Sequence, residues 1–288
     1  MTPDASARRV TVSVVVPTRD RPASLARCLA ALAAQDRPPD EVLVVDDAST
    51  DAAAVAAVVA QARGATSVAG DGRGPAAARN LGAARAAGTL VAFTDDDCAP
   101  TPTWLAGLVE HLGDADAVAG PTCPPPGASA VVRAAQTVAS YLSEASTTDG
   151  TTRFAPTSNL AVRADVLRRL PFDEDYPTAA GEDRDWCARL VDGGGTLRVA
   201  PCAVVLHHQD LTLRTFWAQQ VRYGRGAHRF HRSGPGLARP AFYVGLSRRG
   251  FAQGALTGAL VLAAQAATAV GMVLEAVEDR RCTPQARP

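Results

Sequence analysis

The sequence predicts an α/β fold, a mostly parallel sheet flanked by helices, followed by a C-terminal helical extension. Three observations carry this. Over about the first hundred residues, short β-branched runs alternate with stretches of helical periodicity in the order β-α-β-α-β-α-β. Three of the strand ends are polar, Pro17–Arg19, Asp46–Asp47 and Asp95–Asp97, and parallel sheets bind ligands beyond the carboxyl ends of their strands. Near the other terminus, Phe251–Leu274 runs for 24 residues without a charge.

Taken in order, Val10–Val16 alternates β-branched and small residues and stops at Pro17, which reads as a strand with a hard end. Asp20 and Pro22 open a helix whose Leu25, Cys28, Leu29 and Leu32 recur at helical spacing. Glu41–Val45 is a second strand, and a helix from about Asp51 puts Val55, Val58, Val59 and Ala62 on one face. Thr66–Ala69 is a third, weaker strand. Gly74–Ala87 is a helix stopped by Gly88, and Leu90–Thr94 is the fourth strand. The second half is less regular: a helix over Thr103–Leu112, a strand at Ala117–Gly120, a turn at Pro124–Gly127 and a helical stretch over Ala128–Ala145. Ser146–Arg153 is polar and reads as a loop over the site. Asn159–Val162 is a strand, Ala164–Leu170 and Glu182–Val191 are helices, and Leu197–Ala200 and Ala203–Leu206 are short strands, the last leading into His207 and His208.

Composition narrows the class. The chain has 288 residues, 47% of them hydrophobic, enough for a sizeable core. Its net charge is zero, which argues against a nucleic-acid partner. All 29 basic residues are arginine, an Ala- and Arg-rich bias that cautions against reading meaning into each one. Six cysteines (28, 98, 123, 187, 202 and 282) form no metal-binding pair and read as thiols of a reducing compartment. The opening MTPDASARR lacks a signal-peptide core, so a cytoplasmic location is expected.

Three adjacent aspartates at the end of a buried strand repel one another, unless a divalent cation sits there. Mg²⁺ and Mn²⁺ take oxygen ligands, commonly one or two carboxylates, with substrate phosphates completing the shell. Strand alternation would turn Asp95 and Asp97 to one side and Asp96 to the other. An acidic turn capping the next helix accounts for the same residues.

The blocks VVVPTRDRP (14–22), EVLVVDDASTD (41–51), GPAAARNLGAARAAG (74–88), VAFTDDDC (91–98), SNLAVRADVLRRLPFDE (158–174), GEDRDWCARLVDGGG (181–195) and VVLHH (204–208) stand in one order over about residues 10–210. In that order they resemble family 2 glycosyltransferases of the GT-A fold, a Rossmann-like sheet. The resemblance implies an inverting, metal-dependent transfer of a single sugar from a UDP-, GDP- or dTDP-sugar to an acceptor hydroxyl on a glycan, lipid-linked or small molecule. It implies a catalytic domain over 1–210, with a nucleotide-binding half (about 10–100) and an acceptor half (about 101–210), and a helical extension over 211–288. By the same resemblance Asp46 would bind the base, and Pro17, Thr18 and Arg19 would flank base and ribose. Arg79 and Asn80 would contact ribose or phosphate, and Asp95 ribose or metal. Asp97 and His207 would hold Mn²⁺ or Mg²⁺, with His208 as the competing ligand, and Asp183 would be the catalytic base. Glu182 competes with Asp183 for that role, and Trp186 would shape the acceptor pocket. Cys98 stands where relatives often carry another acid.

In the tail, Gln219, Arg222 and Tyr223 resemble the QxxRW motif of processive polysaccharide synthases, without its Trp. Gln219 and Arg222 are expected near the acceptor or diphosphate. Phe251–Leu274 is flanked by Arg248–Arg249 and Arg280–Arg281 and is long enough to span a bilayer, and Gly254-x-x-x-Gly258 suits close helix contact. Its many Ala, Gly, Thr and Gln residues make insertion marginal. The expectation is contact with the inner face of the cell membrane or with a second copy of the chain. Two other classes remain open on the residues alone. A nucleotidyltransferase would want a Gly-rich phosphate loop after the first strand, which PTRDRP lacks, and a non-catalytic nucleotide- or glycan-binding protein would want a missing acid. The base, sugar and acceptor are not readable from the sequence.

Overall fold

The computed structural model describes residues 10–176, 178–233 and 238–282. The MTPDASARR segment and the side chains of Arg281 and Cys282 lie outside the described residues.

Four parallel strands build the N-terminal half: β1 (Val12–Thr18), β2 (Glu41–Asp46), β3 (Ala65–Ala69) and β4 (Leu90–Phe93), joined through helices α1 (Pro22–Ala33), α2 (Ala52–Gln61) and α3 (Pro75–Arg85). β5 (Cys98–Pro100) and α4 (Trp104–Leu112) follow, then β6 (Ala117–Ala119), β7 (Thr122–Cys123) and α5 (Ala130–Glu144). Next come the hairpin β8 (Thr147–Thr148) and β9 (Thr151–Thr152), β10 (Leu160–Arg163), α6 (Ala164–Arg169), α7 (Glu182–Asp192), β11 (Leu197–Val199) and β12 (Val205–His207). Three helices end the chain: α8 (Leu213–Ser233), α9 (Pro240–Ala252) and α10 (Ala255–Cys282).

The main sheet has the order β3-β2-β1-β4-β10-β6-β11-β9-β8. β10 runs against both β4 and β6, which is how a mostly parallel sheet acquires a reversed strand at its centre. Alternation along β1 explains the two layers. Val12, Val14 and Val16 join Leu25, Leu29, Trp104 and Leu108 on one face, while Val15 joins Val45, Phe93 and Trp186 on the other. Strands buried on both faces read as continuous apolar runs, as Leu90–Phe93 does.

The structure differs from the sequence expectation at four places. A second sheet, β5-β12-β7, sets His207 beside Cys98 in register; strands of two or three residues carry no periodicity to read. The three aspartates lie in a turn closed by the Cys98 N–H donating to the Asp95 carbonyl (3.0 Å), so turn geometry, not strand alternation, directs their side chains. Ser146–Arg153 is a hairpin that extends the sheet edge beside β11, not a loop over the site. Phe251–Leu274 is not one helix: Gly254, at φ +126°, breaks it into the end of α9 and the start of α10.

Gly258 does meet α9 closely, its Cα 3.3 Å from where a Cβ on Gly250 would sit, and a second close contact lies further along α10. α8 and α10 cross at Gly224 and Gly271, where a Cβ on either glycine would come within 3.0 Å of the other's Cα. Arg225 and Arg229 of α8 donate to Glu275 of α10 at 3.0 and 2.6 Å. Ala134 and Ala135 of α5, Phe216 of α8, Leu246 of α9 and Val261 and Ala264 of α10 form a third core. Ala255–Arg280 is long and apolar enough to cross a membrane, by length and composition, and a third (33%) of its most apolar stretch is buried inside the protein.

Candidate active site

At the ends of β1 and β2, register pairs Thr18 with Asp46, with Pro17 paired to Val45. Asp46 is buried, and its Oδ1 accepts from the Ser49 N–H (3.0 Å). Helix α2 is capped instead by Asp51, which accepts from Ala54 N–H at 3.0 Å, so Asp46 is not spent as its cap. Thr18 Oγ1 donates to Asp96 Oδ2 (2.8 Å), and Arg19 stands exposed beside them.

The three aspartates go to three partners. Asp95 Oδ1 accepts from Arg79 (2.9 Å), whose other nitrogen donates to Glu182 Oε1 at 3.0 Å. Arg79 therefore straps the end of β4 to the start of α7. Asp96 is buried against Thr18 and Arg21; burial and the neighbouring Asp97 push its carboxyl up to about 6. Asp97 offers Oδ1 to His207 Nε2 at 3.2 Å and Oδ2 to Arg21 at 3.0 Å. Burial opposes its ionisation, yet the hydrogen bond and charge of His207, then the charge of Arg21, hold its pKa below the ordinary carboxylate value.

His207 is aimed by a buried glutamine. Gln136 of α5 donates its amide hydrogens to the Thr122 carbonyl (2.8 Å) and Ser140 Oγ (3.0 Å), so its oxygen faces His207 Nδ1 at 3.2 Å. The Gln209 amide nitrogen lies against the same Nδ1 at 2.9 Å, so the two glutamines fix the ring, and Nε2 is the atom turned to Asp97. His208 instead gives its backbone N–H to the Asp97 carbonyl (2.8 Å). Asp97, Cys98 and His207 bring ligand atoms within 4.8 Å of one another. Burial holds the Cys98 thiol far above its usual pKa and so protonated, which leaves a carboxylate oxygen and an imidazole nitrogen. That donor pair suits Mn²⁺ or Mg²⁺, and the approach of Arg21 marks the spot as one that attracts positive charge.

Asp95, His207, Glu182 and Asp183 line one cavity of about 460 Å³ that continues between α5, α8, α9 and α10. Gly181, the residue before α7, has φ +99°, and a Cβ there would lie 3.0 Å from the Gly226 carbonyl of α8; only glycine lets α7 start so close to α8. Asp183 accepts from the Arg184 N–H at 2.8 Å, while burial and the adjacent Glu182 push its carboxyl up to about 7.

Four sequence expectations need correction. Asn80 gives both amide hydrogens to the 172–174 segment, at the Phe172 carbonyl and Glu174, and accepts from Phe172 N–H, so it pins that segment and has no N–H left for a phosphate or ribose oxygen. Trp186 is fully buried, donates to the Leu170 carbonyl (2.8 Å) and packs on Phe172, away from the cavity. On α8 the cavity is lined by Gln220 and Tyr223, not by Gln219 and Arg222; Arg222 is exposed and lies over the Tyr223 ring. Gln220 went unread in the sequence, although its side chain is wholly buried and its Oε1 has no partner among the described residues. Gln136 and Arg184 were also missed; Gln136 is one polar residue in a largely apolar helix, and Arg184 is one charge among the Glu182, Asp183 and Asp185 of its first turn.

The family profile described as Glycosyl transferase family 2 matches residues 13–170. The pre-mycofactocin glycosyltransferase of Mycobacterium tuberculosis is 33% identical over 169 residues, 54% of this chain and 34% of that protein, so this chain spans about a third of that relative's length. Glycosyltransferase AglE of Haloferax volcanii is 30% identical over 225 residues, 75% of this chain and 72% of that protein. Among solved structures, the mannosyltransferase PcManGT of Pyrobaculum calidifontis, in complex with GDP-Man and Mn²⁺, superposes with a TM-score of 0.60 at 25% identity, covering 96% of this chain and 81% of its own. Glucosyl-3-phosphoglycerate synthase of Mycobacterium tuberculosis, solved with Mn²⁺, UDP and glucosyl-3-phosphoglycerate, shares the fold with a TM-score of 0.58 at 20% identity, covering 80% and 84%.

Proposed function

The chain belongs to glycosyl transferase family 2, and on that premise we propose that it moves a single sugar from a nucleotide-diphosphate sugar to an acceptor hydroxyl with inversion at the anomeric carbon. The observation that carries this reading is the division of one cavity: Asp95 and His207 line the side of the sheet-end aspartates, and Asp183 lines it from α7. In this reading Asp46, Pro17, Thr18 and Arg19 bind base and ribose, and Asp97 and His207 hold Mn²⁺ or Mg²⁺. A bound ion would neutralise the diphosphate and stabilise it as leaving group.

The chain's own residues do the rest. Gln136 keeps His207 Nε2 turned to Asp97. Arg79 fixes Asp95 and Glu182 and so ties Glu182 down. Asp183 accepts only the Arg184 backbone N–H among the described residues, which leaves it a carboxylate oxygen for the acceptor proton. Its raised pKa matches it to proton removal near neutral pH. Residues 1–210 form the catalytic part, and the helices of 211–288 cap its acceptor side; that cap brings the chain against the inner face of a membrane or a second copy. A thermal-shift screen of full-length protein against UDP-, GDP- and dTDP-sugars, with and without Mn²⁺, tests the reading. A donor should raise Tm only when the ion is present, and a protein indifferent to every nucleotide sugar sinks it.

A further inference from the structure

We infer that Arg184 is an anion-binding residue of the acceptor pocket, and that the acceptor is an amphiphile: its hydroxyl lies at Asp183, a negatively charged group sits on Arg184, and an apolar body fills the space between α5, α9 and α10. The inference deepens the proposed reaction and rests on Asp183 marking the acceptor side of the cavity.

Arg184 follows Asp183 on the first turn of α7 and lines the same cavity. It is the one half-buried arginine among the described residues whose guanidinium donates to no carboxylate or carbonyl. The contrast with its neighbours is sharp. Arg79 holds two carboxylates, Arg189 holds Asp185, and Arg225 and Arg229 hold Glu275. Arg184 has instead the face of Phe230, with its guanidinium carbon 4.5 Å from the ring centroid. A ring face compensates only part of what a charge loses when water is removed. Burial accordingly lowers the Arg184 pKa, with the Asp183 charge opposing it. A guanidinium held in one orientation and left without an anion is matched to a phosphate or carboxylate, which it grips with two parallel N–H bonds.

The rest of the wall says what the anion is attached to. Beyond Arg184 the cavity wall is mostly apolar, with Val138 and Leu142 of α5, Phe242 and Leu246 of α9 and Met272 of α10, and Gln220, Gln265 and Thr268 are polar points on it. Hydroxyls of a glycan pressed against the apolar side chains would lose water and gain no partner. An aliphatic or aromatic body loses nothing there and fills the space. A small polar anion would use Arg184 and leave the wall bare; a neutral sugar would use neither.

The test is calorimetric titration of the full-length protein, loaded with Mn²⁺, with three probes below their micelle thresholds: n-decyl phosphate, n-decyl β-D-glucoside and phosphoglyceric acid. Decyl phosphate should bind at least about tenfold more tightly than either other probe, the effect expected of one charge-assisted pair plus a buried chain. Arg184→Gln should bring decyl phosphate to within about threefold of the glucoside, and Arg184→Lys should keep an intermediate preference because charge survives without the fork. Unchanged nucleotide affinity in both variants certifies their fold. A tenfold preference that persists in Arg184→Gln overturns the inference, as does equal binding of the glucoside or of phosphoglyceric acid by the unaltered protein. Nucleotide binding without an Arg184-dependent preference sinks only this inference; the preference without any nucleotide binding sinks the proposed reaction.

Discussion

Arg79 and Glu182, from α3 and α7, form an ion pair of 3.0 Å in which both side chains are almost wholly shielded from water (4% and 5% exposed). The same guanidinium holds Asp95, so one side chain ties the sheet end to the helix that carries Asp183. Removing one partner of such a pair strands the others as buried charges, at a cost of about 3–5 kcal/mol. Arg79→Met is therefore expected to lower the urea midpoint sharply. A shift equivalent to under about 1 kcal/mol would place Arg79 among merely solvated surface pairs.

Asp97→Ala should abolish transfer and weaken nucleotide binding while leaving the fold intact, because Asp97 sits on a turn and is not itself a member of the core. Chelation should act in the same direction and be reversed by Mn²⁺. If EDTA-treated protein turned over at the untreated rate, the assignment of Asp97 and His207 to an ion would fail.

Gln136 offers a more selective test. Replacing it with Leu keeps the bulk in α5 but removes the polar side chain that meets His207 Nδ1 at 3.2 Å and helps hold the ring. Loss of such an outer partner typically costs about 10–100-fold in metal affinity. The apparent Mn²⁺ affinity should fall by that order while the affinity measured at saturating Mn²⁺ for nucleotide holds. A variant with native Mn²⁺ affinity would reduce Gln136 to packing.

The terminal helices behave differently from what the uncharged run alone implies. α10 seats Glu275 against Arg225 and Arg229, crosses α8 at paired glycines and contributes Val261 and Ala264 to the third core. Deleting residues 255–288 should therefore expose α5 and α8 and yield aggregation-prone protein, not a stable soluble catalytic domain. A monodisperse truncation with a native melting curve would show that the tail is dispensable to the fold.

What the sequence made legible follows from length and period. β1, β2 and β4 are apolar runs and the helices between them are long enough for their period to be read, and the polar residues at the strand ends fall where parallel sheets present them. Strands such as Thr122–Cys123 are too short to have a period, so the small sheet that brings His207 to Asp97 was invisible. Family resemblance assigns positions but not directions. On α8 a shift of one residue turns a side chain by about 100°, which separates Gln220, buried at the cavity, from Gln219 beside it. Asn80 and Trp186 stand at expected positions, yet their hydrogen bonds go to the Phe172 and Leu170 segments. Nothing local in the sequence announces such long-range partners.

Asp183 is expected to be the base that takes the acceptor proton, and its titration supplies two independent readouts. In-line displacement needs a base on the face opposite the leaving diphosphate, and Asp183 reaches the cavity from α7 while Asp97 stands at the end of β4. Glu182 is held by Arg79, and on a helix it projects about 100° away from Asp183. Asp183→Asn should cost about 10²–10⁴ in turnover with donor affinity retained. Because burial and Glu182 raise the carboxyl to about 7, turnover of the unaltered enzyme should climb with pH up to that value and then level. The sign for stability is the opposite. The folded state keeps this proton at pH values where the unfolded chain, titrating near 3.8, has lost it, so stability falls as pH rises from about 4 towards 7. Asp183→Asn has no proton to lose there. It should match the parent in Tm below pH 4 and exceed it above pH 7, while being nearly inactive throughout. A variant that is both less stable at pH 8 and inactive would point to a structural carboxylate, and near-native turnover in Asp183→Asn alongside a dead Glu182→Gln would move the role to Glu182.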